Sequence, residues 1–177
     1  LNEYSLEVYE MLEDRRGHLW FAMRGHAVRY DGRVSETFAR HNGLEMGAFD
    51  LAEDLAGNLW ITGPGGVGRW DGVAHSDGVP RFVHFTNEDG LAANWTNEVA
   101  VDQAGHLWFG SPGGLTRYDG QFVANFTESQ GLPETRVYSV LEDRQGAVWC
   151  GTHGGGLSRY EGGRFETFNA QDGLISN

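Results

Sequence analysis

An all-β fold assembled from four copies of one four-stranded unit is predicted by three features of the sequence. The chain holds 27 Gly and only 4 Pro in 177 residues, with 6 Trp, 10 Phe and 6 Tyr, so short aromatic segments alternate with glycine turns. Four copies of one motif each place a Trp six residues after an Asp. Those Trp residues lie 40, 48 and 41 positions apart, a period that suits the four-stranded blades of a β-propeller.

The first block of the unit reads Glu13-Asp14-Arg15-Arg16-Gly17-His18-Leu19-Trp20 and returns at Glu53 to Trp60, Val101 to Trp108 and Glu142 to Trp149. Ahead of it runs an apolar and β-branched stretch, clearest at Val137 to Glu142, which predicts an inner strand covered on both faces. The Asp-x-x-Gly that follows is a tight turn whose Asp side chain can accept from backbone amides. A second strand then carries the Trp. Next comes Arg29-Tyr30-Asp31-Gly32, repeated at Arg69, Arg117 and Arg159, which closes a third strand and opens a hairpin. The fourth strand ends at Phe38, Phe85, Phe126 or Phe168, five residues before a Gly-Leu pair that starts the passage to the next inner strand. The blades accordingly span about 1–44, 45–91, 92–132 and 133–177. Copy two has seven extra residues around Val73 to Pro80, read as a surface insertion between its third and fourth strands.

These blocks resemble the two-component regulator propeller repeat, best in copy four, with Val137-Tyr138-Ser139-Val140-Leu141-Glu142-Asp143 and Gly156-Leu157-Ser158-Arg159-Tyr160. The resemblance implies the periplasmic or extracellular sensing part of a hybrid two-component system, of a kind that often responds to oligosaccharides. No kinase, membrane helix or immunoglobulin-like segment accompanies the repeats. The chain lacks an initiator Met and starts at a repeat boundary, so it is expected to be an excerpt of something longer.

A formal charge of -12 repels phosphate backbones and anionic membrane surfaces, which argues against both as partners. The single cysteine, Cys150, can form no internal disulfide and stands where the other copies carry Phe21, Ile61 and Phe109, so a small buried residue is expected rather than a nucleophile. No apolar run is long enough to span a bilayer. The repeated acids lack the alternating oxygen ligands of a calcium loop. Gly65-Gly66-Val67-Gly68 joins two strands instead of opening a helix, which argues against a phosphate cradle. No cofactor or metal is expected.

Departures from the repeat make better binding candidates than the repeat itself, because turn chemistry and packing do not explain them. Loops from second to third strand and connections between blades share one face of a propeller. On that face stand Arg24 and His26 in copy one, Trp95 in copy three, and Arg136 and His153 in copy four. An exposed Trp95 suits stacking on a sugar. The leading expectation is a non-enzymatic module that senses a small polar ligand, first an oligosaccharide. One alternative is an assembly unit. Another is a streptogramin-lyase-like enzyme, whose blades are similar and whose metal-assisted site would have to draw on His26 or His153. Two aromatic-rich end faces further predict a homodimer, each chain supplying half of an eight-bladed ring.

Overall fold

The computed structural model describes residues 7–70, 72–73 and 81–176. The chain is all-β, with four four-stranded antiparallel sheets, each made of consecutive strands in meander order. The first sheet holds β1 (Val8–Glu13), β2 (Leu19–Met23), β3 (His26–Tyr30) and β4 (Ser35–Ala39). The second holds β5 (Asp50–Glu53), β6 (Leu59–Gly63), β7 (Gly66–Trp70) and β8 (Phe82–Phe85). The third holds β9 (Glu98–Val101), β10 (Leu107–Ser111), β11 (Gly114–Tyr118) and β12 (Val123–Phe126). The fourth holds β13 (Val137–Glu142), β14 (Val148–Thr152), β15 (Gly156–Glu161) and β16 (Arg164–Phe168). Most of the insertion expected around Val73 to Pro80 lies outside the described residues.

The six-residue Asp-to-Trp spacing has a cause beyond the turn. One oxygen of Asp54 accepts from the amides of Ala56 and Asn58, each at 2.9 Å, while the other accepts the Trp60 indole N–H at 2.8 Å. Asp14, Asp102 and Asp143 hold Trp20, Trp108 and Trp149 in the same way. The carboxylate therefore ties the first turn to the core tryptophan of its blade. Across the hairpin an Arg lies over that ring, with Arg29, Arg69, Arg117 and Arg159 at 5.7 to 5.9 Å from the four centroids. The Phe…Gly-Leu block is equally local. Thr86 caps a single 3-10 turn at Asn87–Asp89, Gly90 leaves it at φ 102°, and Leu91 returns its amide to the Thr86 carbonyl.

Inner strands of successive blades pack side by side, β1 with β5, β5 with β9 and β9 with β13. Between each pair lies one apolar core. The first joins Trp20, Phe38 and Leu44 to Leu51, Ile61 and Trp70. The second joins Trp60, Val67 and Leu91 to Val99, Leu107 and Phe109, and the third joins Trp108, Leu115 and Leu132 to Val140, Val148 and Cys150. Every blade thus presents one row of residues to its predecessor and another to its successor. Among the described residues no core joins blade 4 to blade 1.

One expectation is corrected by that open seam. The inner strand β13 is covered on one face only, for Leu141 is 64% exposed although Val140 beside it is buried. Trp149 is likewise half-buried while Trp20, Trp60 and Trp108 are buried, because among the described residues no further blade closes over it. Blade 1 shows the converse. Met11 is 66% exposed, whereas Leu51, Val99 and Val140 in the equivalent position are 5 to 6% exposed. Cys150 is buried as expected, and desolvation pushes its thiol up to about 12, far from a reactive thiolate.

Candidate ligand-binding site

The loops after each second strand meet the connections between blades along one rim. Asn97 donates to the Gly110 carbonyl at 2.8 Å, His153 to that of Arg136 at 2.9 Å, and Pro64 bridges Trp95. The five candidate residues lie in three places on this rim. Trp95 is half exposed and points its indole N–H at Asn97 Oδ1, 3.0 Å away. Its ring lies 5.4 Å from that of Phe49, which in turn meets Tyr9 edge-on at 5.6 Å. The three rings form a row across blades 1 to 3. Arg136 and His153 form a second group, with Nη1 and Nδ1 3.4 Å apart and the imidazole 5.9 Å from the Tyr138 ring. Arg24 and His26 are a third, local to the blade 1 hairpin, where His26 Nδ1 lies 3.2 Å from the Arg24 carbonyl oxygen.

Beside the aromatic row opens a cleft of about 350 Å³ lined by Tyr9, Glu10, Phe49, Asp50, Asn97 and Glu98. Its three acids occupy one repeat position, four residues before the turn Asp, on three successive inner strands. Ser139 takes that place in blade 4. Asp50 accepts the Val99 amide at 2.7 Å and the Leu51 amide at 2.8 Å, and Glu98 accepts the Val140 amide at 3.4 Å. Two of the acids thereby clasp their own blade to the next. Nothing in the motif pattern singled them out, although their common offset from the turn Asp was legible.

Desolvation, with a smaller push from the Glu10 charge, lifts Asp50 to about 6 against the two amides that favour its charged form. Desolvation also lifts Glu98 to about 7, with the Asp50 and Glu10 charges adding to it and the Val140 amide opposing. Near neutrality the cleft therefore offers a carboxyl that donates beside carboxylates that accept. A folded-state value above the ordinary 4.5 means that the folded chain binds this proton more readily than the unfolded chain. Stability should accordingly rise as pH falls through about 7 toward 4.5, the reverse of the usual acid effect. Thermal melts from mildly alkaline to mildly acidic buffer check this. Glu98→Gln should raise the melting temperature at the alkaline end and flatten the slope; a variant that melts lower there with the slope unchanged would contradict the assignment.

Among the described residues no three His, Cys, Asp or Glu side chains gather to hold a metal. His26 and His153 lie in blades 1 and 4, and their ring nitrogens contact Arg24 and Arg136 of those same blades. A second cleft, about 340 Å³, opens at the opposite end between blades 2 and 3 and includes Asp54, Trp60 and Arg69, all engaged in the turn and core just described.

Four meander sheets with inner strands side by side define an array of β-propeller blades. The family model described as two component regulator propeller matches residues 131–154, so the chain carries that repeat. The extracellular domain assigned to a hybrid two component system from B. thetaiotaomicron is similar in structure, with a TM-score of 0.83 and 21% identity over 97% of this chain and 24% of that one. A second extracellular domain from B. thetaiotaomicron, assigned to a one component system, gives 0.74 and 21% over 96% of this chain and 26% of that one. Virginiamycin B lyase from Staphylococcus aureus gives 0.71 and 16% over 95% of this chain and 57% of the lyase. The chain thus spans about a quarter of the length of the two extracellular domains. No curated protein matches its sequence.

Proposed function

We propose that the chain is a non-enzymatic recognition segment of a sensor ectodomain outside the cytoplasm, and that its rim takes a small polar ligand, an oligosaccharide in the first instance. The observation that carries this reading is the row Tyr9, Phe49 and Trp95 beside a cleft edged by Glu10, Asp50 and Glu98. An aromatic face covers the apolar C–H face of a sugar ring, and carboxyl groups pair with its hydroxyls. The carboxylates also disfavour anionic sugars, so neutral oligosaccharides should bind more tightly than acidic ones. The likeness to extracellular domains of signalling systems supports the sensing role and the location.

Titration of neutral and acidic oligosaccharides against tryptophan fluorescence tests the reading. Trp95→Ala should weaken binding about tenfold or more, a loss of about 1.4 kcal/mol. Affinity that survives this substitution would place the site elsewhere. The likeness to virginiamycin B lyase makes an enzymatic reading the competitor. Metal-dependent turnover abolished by His153→Ala would favour it over recognition alone.

A further inference from the structure

We propose that the cleft between blades 2 and 3, at the end opposite the rim, binds a small organic carboxylate through Arg69. The proposal does not rest on the recognition reading of the rim. Its starting point is an acid that two other blades have and blade 2 lacks. In every blade the Arg over the core Trp faces one residue of the fourth strand: Glu36 opposite Arg29, Val83 opposite Arg69, Ala124 opposite Arg117 and Glu166 opposite Arg159. Arg29 Nη2 donates to Glu36 Oε2 at 2.8 Å, and Arg159 lies 2.9 Å from Glu161 and 4.0 Å from Glu166. Val83 offers Arg69 no such acceptor. Among the described residues no hydrogen-bond partner meets Arg69 Nε, although that atom is buried and the guanidinium lies 5.7 Å from the Trp60 centroid. A buried guanidinium N–H without an acceptor is costly, and a carboxylate is the group whose two oxygens fit its edge.

This junction also has room that its neighbour lacks. Between blades 1 and 2 the equivalent space is only about 10 Å³, lined by Asp14, Arg16, Trp20, Arg29 and Gly72. Arg16 fills it, for its guanidinium reaches the blade 2 hairpin, where a Cβ on Gly72 would stand 3.1 Å from Nη1. Ala56 holds the place of Arg16 in blade 2, two residues after the turn Asp, and Gly120 holds that of Gly72 in blade 3. With a methyl group where the long side chain would be, the cleft opens to about 340 Å³. That volume is at the lower end of the range for small-molecule sites and suits an acid of about the size of one sugar ring.

The walls narrow the class of ligand. Leu55 and Tyr118 supply apolar surface from facing blades, which suits an organic body rather than a bare ion. Asp54 and Asp119 line the same cleft. The first is met by four donors and the second by the Gln121 and Phe122 amides. Their charges still repel a dianion such as phosphate more than a singly charged carboxylate. The site therefore favours monocarboxylates, whose acid group takes the part that Glu36 plays inside blade 1.

Titration of glucuronate, benzoate and acetate into the ¹⁵N-labelled chain tests the proposal, with glucose and inorganic phosphate as controls. Glucuronate and benzoate should move the Arg69 Nε–H and Trp60 indole signals more than acetate does, and the Arg29 Nε–H signal should stay in place. Val83→Glu, at a half-exposed position, supplies the absent acid, and Ala56→Arg fills the cleft as Arg16 fills its neighbour. Each variant should keep the far-UV circular dichroism of the parent and weaken carboxylate binding about tenfold or more. The proposal would be overturned by no shift at Arg69 with any of the three acids at about 20 mM, by binding that survives both substitutions, or by equal shifts with glucose. Phosphate bound more tightly than all three acids would overturn the choice of carboxylate.

Discussion

Trp108→Ala is expected to cost about 3 to 5 kcal/mol, the range for removing a large aromatic from a packed core. Trp108 is 3% exposed, stacks on Phe126 at 5.8 Å and meets Tyr160 of the next blade at 5.5 Å. The substitution therefore opens a cavity in a junction, not merely within one sheet. It also leaves Asp102 without the indole donor 2.9 Å away. A total stability of roughly 5 to 15 kcal/mol is usual for a domain, so denaturant melts should show a chain close to unfolding. Trp149→Ala is the internal comparison. Its ring stacks on Phe168 at 5.5 Å but is only half-buried among the described residues, so in this chain alone its loss should cost clearly less. Equal costs at the two positions would mean that the faces have been assigned wrongly.

Asp54→Ala should cost about 3 kcal/mol, because one carboxylate satisfies four donors and a buried donor left unpaired costs about 1 to 3 kcal/mol. Those donors are the Ala56 and Asn58 amides, the Asn58 side-chain N–H and the Trp60 indole. Burial is the largest single influence on Asp54 and would raise it, but the hydrogen bonds from Trp60, Asn58 and Ala56 together hold it below the ordinary 3.8. A carboxyl depressed in the folded state contributes stability that is complete above 3.8 and disappears as pH falls through the lower folded value. Denaturant titrations at neutral and strongly acidic pH should thus show a large penalty for Asp54→Ala at the first and a smaller one at the second. A pH-independent penalty would remove the carboxylate from the account.

The fold was legible because the same local chemistry is written four times. Asp-x-x-Gly, the Trp six residues later and the capped Phe…Gly-Leu turn each depend on residues close in sequence, so spacing alone exposes them. The role of Asp as acceptor for the indole was hidden, since a turn explains the residue without it. Burial at the ends was hidden for another reason. Leu141 and Trp149 look like their counterparts, and they stand open only because no further blade lies against them among the described residues. The rim was half legible. Trp95 stood out as a departure, whereas Phe49 and Tyr9 gain meaning only from their 5.4 and 5.6 Å approaches across blades. Glu10, Asp50 and Glu98 passed unnoticed because each is unremarkable within its own copy.

The central claim is that ligand meets the rim at Trp95 and leaves the core tryptophans untouched. Indole N–H resonances in a ¹⁵N correlation spectrum test it directly, since Trp20, Trp60, Trp108 and Trp149 are each held by an Asp and Trp95 alone is held by Asn97. On titration with neutral oligosaccharides the Trp95 indole signal should move while those four stay in place. Movement confined to the Asp-bound indoles, or none with any oligosaccharide, would contradict the account.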